Sequence, residues 1–248
     1  MRVLAIDVGI ANLPFCLIEQ NKGEKECKIL DWTLVNLLAE DETEKKCITC
    51  NKFRSVNKNK DGTYCKKHSP VDAIPIIKPK VEYDTNLYGL KLADILENKI
   101  ELYKTCDHIV IESQPALKAP KMKSFASIIY AWFLFNIVRP NLKAGKTTQL
   151  GHINANTKLK VYNGPALSIP ETKNKYDERK VTGIIHCREI LKNNIEAIKR
   201  LDNEKKKIDD LCDSFLFAQY KMNIELGIPN ANTKVKKPRA SKKPKSNL

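Results

Sequence analysis

The 248-residue sequence predicts a mixed α/β domain: three hairpin-linked strands followed by alternating helices and strands around a sheet that is not all-parallel. Three observations predict it. Strand-length apolar runs at 2–8, 13–19 and 28–35 follow one another with only short turns between them, marked by Gly9 and Gly23. Helical spacing first appears much later, at 85–104, where Leu87, Leu90, Ile95, Ile100 and Leu102 recur near a helical period. Further strand-length runs, 108–112 and 150–155, then lie between helical segments.

The remaining elements follow in order. Segment 121–138 is rich in Ile, Phe, Trp and Leu, and its broad apolar surface calls for burial on more than one side, in the core or at a subunit interface. Pro140 is expected to stop it. A loop of about twenty residues follows the strand at 150–155, and helices at 177–194 and 208–224 close the body. Residues 1–226 therefore read as one domain, interrupted by an insertion at 40–80. Residues 227–248 read as a disordered tail with seven cations, no acid and three prolines.

Composition narrows the function. Lys+Arg 44 against Asp+Glu 29 leaves +15, and removing the tail's seven cations still leaves +8, an excess that fits a polyanionic partner. No apolar run approaches the roughly 18 residues of a membrane helix, and no signal-peptide pattern opens the chain, so an intracellular protein without membrane contact is expected. Three of the eight cysteines form a pattern with a histidine: Cys47-x2-Cys50, fourteen residues, then Cys65-x2-His68. Each short-spaced pair clamps one edge of a tetrahedron, which is the requirement of a structural Zn²⁺ site. Six cations against Asp61 between Asn51 and His68 make the knuckle basic, suited to phosphate contact. Other cysteines, such as Cys16 and Cys212 in apolar segments, read as reduced core thiols.

The carboxylates carry the chemistry. Asp7 ends the first apolar run and Glu112 ends the run Ile109-Val110-Ile111, where an unsatisfied charge is expensive. Asp210 and Asp213 share one face of the last helix, as do Asp209 and Asp213, and like charges so placed repel unless neutralised. Asp209 and Asp210 suit a helix N-terminus, but Asp213 sits beside Leu211, Cys212, Phe215 and Leu216. Strand-end acids joined by a helical acid pair form an oxygen-rich site for Mg²⁺ or Mn²⁺. Two such ions can clamp both oxygens of a phosphodiester undergoing in-line hydrolysis.

The run Ile6-Asp7-Val8-Gly9-Ile10-Ala11-Asn12, the segment Ile111-Glu112-Ser113-Gln114-Pro115, and Lys207-Ile208-Asp209-Asp210-Leu211-Cys212-Asp213-Ser214 together resemble the RuvC-like Holliday-junction resolvases of the ribonuclease-H-like superfamily. The likeness is to the branch of poxviruses and other large cytoplasmic DNA viruses, whose lysine-containing motif 156–162 also resembles. The resemblance implies a ribonuclease-H-like mixed sheet and metal-binding catalytic acids at Asp7, Glu112, Asp210 and Asp213, with Asp209 competing with Asp210. It implies Lys158, with Lys160 competing, as stabiliser of charge on the phosphorane-like transition state. It further implies two Mg²⁺ or Mn²⁺ ions per site, a homodimer matched to a four-way DNA junction, and work in a host cytoplasm where viral DNA replicates. A small-molecule substrate is not expected. The zinc insertion at 47–68 departs from the poxvirus pattern.

Three other readings fit less of the sequence. A non-catalytic zinc-containing nucleic-acid-binding protein accounts for the basic knuckle and tail but leaves four acids in apolar contexts without a role. A ribonuclease-H-like nuclease acting on flaps or hybrids has the same residues. An actin-like phosphotransferase lacks room for a second nucleotide-binding subdomain. Residues 143–147 resemble a phosphate loop only until Pro140, where that motif needs glycine.

Overall fold

The computed structural model describes residues 1–38, 47–51, 56–75, 84–115, 117, 119–204 and 207–231. The strands are β1 (Arg2–Ile6), β2 (Leu13–Glu19), β3 (Lys28–Val35), β4 (Asn57–Asn59), β5 (Gly62–Tyr64), β6 (Ile74–Pro75), β7 (His108–Glu112) and β8 (Gln149–Ile153). The α-helices are α1 (Thr85–Glu97), α2 (Ile100–Tyr103), α3 (Pro120–Phe133), α4 (Arg139–Lys143), α5 (Lys175–Ile190), α6 (Ile195–Asn203) and α7 (Ile208–Leu226). A π turn, Leu134–Val138, joins α3 to α4, and a 3₁₀ segment, Ala155–Lys160, follows β8. None of the described helices is long and apolar enough to cross a membrane.

Five strands form the main sheet in the order β3-β2-β1-β7-β8. β1 pairs antiparallel with β2 and parallel with β7, so the sheet is mixed as predicted. Side chains alternate across it. Leu4, Ile6, Ile109 and Ile111 face a core built with α1, α2 and α3. Val3, Ala5 and Val110 face a second core built with α5, α6 and α7. A sheet covered on both faces explains why β1 and β7 are continuously apolar rather than alternating with polar residues. α7 is the most deeply set helix, with Leu211, Phe215, Leu216 and Met222 fully buried. Trp32 Nε1 donates to the Leu211 carbonyl at 3.0 Å and so ties the start of α7 to β3.

Several boundaries differ from expectation. The segment expected as one helix over 85–104 breaks at Asn98–Lys99, because Lys99 turns its ammonium to Asp31 (2.7 Å) and Thr33 (2.6 Å) on β3. Pro140 does not stop its helix. The π turn changes the phase ahead of it, so Pro140 falls in the first turn of α4, where a missing N–H is tolerated. The long loop after β8 contains the 3₁₀ segment, and the helix expected at 177–194 is capped earlier, by Asn174. α6 was not expected, although its Asn194 side chain caps Ala197 N at 3.0 Å. The body also continues past residue 226: Gly227 takes a left-handed φ of 71°, Asn230 is buried, and Ala231 N–H donates to the Lys160 carbonyl at 2.7 Å. The rest of the basic tail, 232–248, lies outside the described residues, as do 39–46 and 76–83 at the margins of the insertion.

Asp31, Lys99, Thr33 and Tyr103 form one polar network beneath α2, with the Tyr103 hydroxyl donating to Asp31 at 3.1 Å. Burial, reinforced by Asp31, pushes the Tyr103 phenol well up, so it stays a donor. Asp31→Ala leaves Lys99 and Tyr103 without this acceptor. It should lower unfolding stability by about 2–3 kcal/mol in a urea titration, with Asp31→Asn recovering part of the loss.

Candidate active site and zinc knuckle

The alternation that builds the two cores also sets the site. Val3 and Ala5 face α7, so the next residue in phase, Asp7, points the same way from the end of β1. On the parallel neighbour β7, Val110 and then Glu112 do likewise. α7 lies over this face, with Asp210 and Asp213 three residues apart near its start. Asp7, Glu112, Asp210 and Asp213 consequently line one cleft of about 530 Å³.

Lys158 completes it. The 3₁₀ segment after β8, begun by the Asn154 side chain accepting from Asn156 N at 2.9 Å, aims the Lys158 ammonium into the cleft, where it pairs with Asp213. Lys160 is exposed and does not line the cleft. Asp209 pairs instead with Lys180 of α5 at 2.5 Å, leaving Asp210 as the cleft-lining member of the doubled aspartate.

Burial, and for Asp7 the neighbouring acids as well, raises three of the cleft carboxyls. Burial, the Glu112 charge and a hydrogen bond with Glu112 all push the Asp7 carboxyl well up, and Asp213 adds to it. Burial pushes Asp213 up to about 6, although Lys158 pulls it down. Asp210 is raised by burial and by Asp209. Burial opposes charge on Lys158, but Asp213, Asp7 and Glu112 outweigh it and hold the ammonium protonated. Gln114 Nε2 donates to Glu112 at 2.5 Å and orients it. Carboxylate oxygens from Asp7, Glu112, Asp210 and Asp213 gathered in one cleft suit a hard divalent cation, with Lys158 set against Asp213 and Arg179, Lys180 and Lys207 also lining the cleft.

Gly9 marks the turn after β1, as its position predicts. A Cβ there would lie 2.0 Å from the Asn12 carbonyl oxygen, so the loop's own turn requires glycine, whatever passes outside it.

Some cleft residues gave no signal in the sequence. Arg179 and Lys180 sit in a charged stretch that reads as the solvated face of a helix, yet the packing of α5 on α7 brings both to the cleft. Arg179 also donates to Asn156 beside Lys158 at 2.8 Å. His108, His152 and His186 lie outside the cleft: His152 stacks on Tyr130, His186 lies against Tyr162, and His108 is 3.7 Å from Glu225. Phe133 is fully buried, whereas Phe135 is 59 % exposed.

The insertion holds a second cluster. The donor atoms of Cys47, Cys50, Cys65 and His68 all lie within 4.8 Å of one another. His68 Nδ1 is 3.7 Å from Cys47 Sγ and 3.5 Å from Cys65 Sγ. Zn–S near 2.3 Å and Zn–N near 2.0–2.1 Å put a tetrahedral S···N edge at about 3.6 Å, so the donor set fits zinc. The β4–β5 hairpin delivers Cys65, and Asn51 takes a positive φ of 49° where its N–H donates back to the Cys47 carbonyl. Burial works against a Cys47 thiolate, but N–H donors from Cys65, Cys50 and Thr49, with His68, bring the thiol down to about 5.

A mixed sheet covered on both faces, with acids from two parallel strand ends and a crossing helix in one cleft, defines a ribonuclease-H-like α/β protein. Residues 3–116 match the catalytic-domain family described as mitochondrial resolvase Ydc2 / RNA splicing MRS1. The resemblance read from the sequence is borne out over this stretch, which carries Asp7 and Glu112. The chain is similar to the yeast mitochondrial Holliday junction resolvase Ydc2, at 18% identity and a TM-score of 0.50 over 91% of this chain and 81% of that one. A fowlpox virus resolvase solved with Holliday junction DNA is 15% identical with a TM-score of 0.48, covering 91% of this chain and 99% of the other. An uncharacterized protein, L451, of Acanthamoeba polyphaga mimivirus is 24% identical over 89% of this chain and 74% of its own length.

Relieving the carboxylate crowding should stabilise the metal-free protein. A carboxyl whose folded pKa is raised costs stability once pH climbs above its unfolded value, and the cost disappears as pH falls. Asp7→Asn should therefore melt higher than the parent at pH 7–8, by about 2–4 °C per kcal/mol relieved, with the gain shrinking toward pH 4. Scanning calorimetry of both proteins in chelator-treated buffer measures it.

Proposed function

We propose that this chain is a divalent-metal-dependent, structure-selective endonuclease that resolves four-way (Holliday) DNA junctions by paired phosphodiester hydrolysis. The observation that carries the reading is the convergence of Asp7, Glu112, Asp210, Asp213 and Lys158 on one cleft, from four separate segments of chain. The match to a resolvase catalytic-domain family supports the choice of substrate.

In this reading Asp7, Glu112, Asp210 and Asp213 hold Mg²⁺ or Mn²⁺, two ions per site, and the fit rests on four carboxylates gathered in one cleft, with Asp7 raised by burial and by its neighbours Glu112 and Asp213. The bound metal supplies activation of the attacking water and neutralisation of charge on the scissile phosphate. The protein's own residues do the rest. Gln114 fixes the Glu112 carboxylate, and the sheet fixes Asp7 against it. Lys158 occupies the cation position beside Asp213 in the free protein. With substrate bound, its ammonium is positioned to stabilise charge on the phosphate oxygens as the bond breaks. Arg179 and Lys180 at the rim hold the flanking phosphates. Cys47, Cys50, Cys65 and His68 carry a structural zinc with all four positions filled by protein.

Paired cuts need two sites, and two copies of the chain supply them. Leu134, Phe135 and Leu142 stay exposed beside the π turn, and this apolar surface supports a homodimer. The mimivirus relative supports a viral setting, in which the enzyme works where viral DNA is recombined and replicated. The domain reads as one nuclease body carrying the zinc insertion.

Labelled four-way junctions, flaps, duplexes and RNA–DNA hybrids incubated with Mg²⁺ should give symmetric nicks in the four-way junction alone. Asp7→Asn and Asp213→Asn should each lower the cleavage rate at least about a hundredfold while retaining junction binding, and Lys158→Met should lower it roughly 10²–10³-fold. Junction binding by the parent without any Mg²⁺-dependent cleavage would overturn the nuclease in favour of a binding protein.

A further inference from the structure

The chain leaves the body for the insertion, and rejoins it, on the cleft side. β3 opposes β2 and β2 opposes β1, so β3 and β1 end at the same edge of the sheet. Just past β3, Leu37 N–H donates to the Ile10 carbonyl at 3.1 Å, inside the loop that follows Asp7. The chain rejoins the body through α1. Gly89 packs toward Ile128, and Tyr103 against Phe133 at 5.8 Å, so α1 and α2 run in the same direction as α3. α3 itself sets out from the Glu112 edge. The insertion thus leaves and rejoins the body on the side where the carboxylates lie.

What it presents is cationic and rigid. Lys58, Lys60, Lys66 and Lys67 are exposed, and none forms an ion pair among the described residues. Lys66 and Lys67 lie between Cys65 and His68, inside one ligand pair, so a metal held there fixes their backbone. Lys58 lies on β4 and Lys60 in the β4–β5 turn, which is closed by the Asn59 side chain accepting from Asp61 N at 2.9 Å and Gly62 N at 3.1 Å. Asp61 lies in the turn and Asp72 accepts from the Asn59 side chain at 2.9 Å, so the four lysines outnumber two acids. Cations held on a preformed scaffold surrender little entropy when they meet an anion. The cleft is only large enough for the reacting part of a nucleic acid, so a duplex that enters it must continue over its rim.

We propose that the zinc knuckle is a second DNA-contacting element, gripping the phosphate backbone of the duplex arm that leaves the cleft. The choice of DNA rests on the nuclease reading, while the surface itself does not. Each phosphate contact adds about 0.9 to the slope of log affinity against log salt. The variant Lys58→Gln/Lys60→Gln/Lys66→Gln/Lys67→Gln should therefore show a slope shallower by roughly 2–4 for a four-way junction titrated at 50–200 mM salt without Mg²⁺. Its affinity at the lower salt should fall tenfold or more, with one zinc per chain retained and kcat at saturation unchanged, the signature of lost uniform binding. The double variants Lys58→Gln/Lys60→Gln and Lys66→Gln/Lys67→Gln should each give part of the effect, and either serves if the quadruple variant loses zinc. Unchanged slope and affinity in a zinc-loaded variant, with the parent binding and cutting normally, would overturn the proposal alone. A parent that binds no junction would overturn the nuclease reading together with it.

Discussion

The structure depends on an electrostatic constraint in the cleft: carboxylates held close in a half-buried space, with the Lys158 ammonium set against Asp213. Asp7 and Glu112 are brought side by side by the parallel pairing of β1 and β7, and the sheet is too rigid for them to move apart. α7 adds Asp213, which is only 8 % exposed and would be a costly charge without Lys158. Much of the surrounding architecture serves to hold this arrangement against its own repulsion. Trp32 latches the start of α7, Gln114 restrains Glu112, and Lys180 draws Asp209 away from the cluster. Such a site is stable in the folded chain because the two apolar cores on either face of the sheet supply the stabilisation that it lacks.

That tension has a functional meaning. Carboxylates that repel one another in the free protein gain when a divalent cation arrives, so metal affinity grows from the same proximity that destabilises the empty cluster. Lys158 stands in the same relation to the acids as the expected cation does. It pairs with Asp213 in the free protein, and in the proposed function its ammonium would turn to a phosphate when substrate binds. The Cys/His cluster is a different kind of centre, with four donors within 4.8 Å of one another and His68 at 3.5 and 3.7 Å from two of the cysteine sulfurs.

The sequence itself determined the sheet and its acids. β2, β3 and β7 have the bounds expected from their apolar runs, because strands buried on both faces leave little ambiguity in pattern. Asp7 and Glu112 stood out because each ends such a run. The Cys/His spacing stood out because metal geometry imposes short pairs on the chain. The tertiary structure alone decided the remainder. Arg179 and Lys180 became cleft residues through the packing of α5 on α7, and no local pattern distinguishes a cation facing a cleft from one facing water. Pro140 kept its place in a helical segment because a π turn shifted the phase ahead of it. Asp210 rather than Asp209 lines the cleft because α5 placed Lys180 where it captures Asp209. Local sequence fixes which residues must be buried or must bind; which charge faces which depends on elements that meet only after the chain has folded.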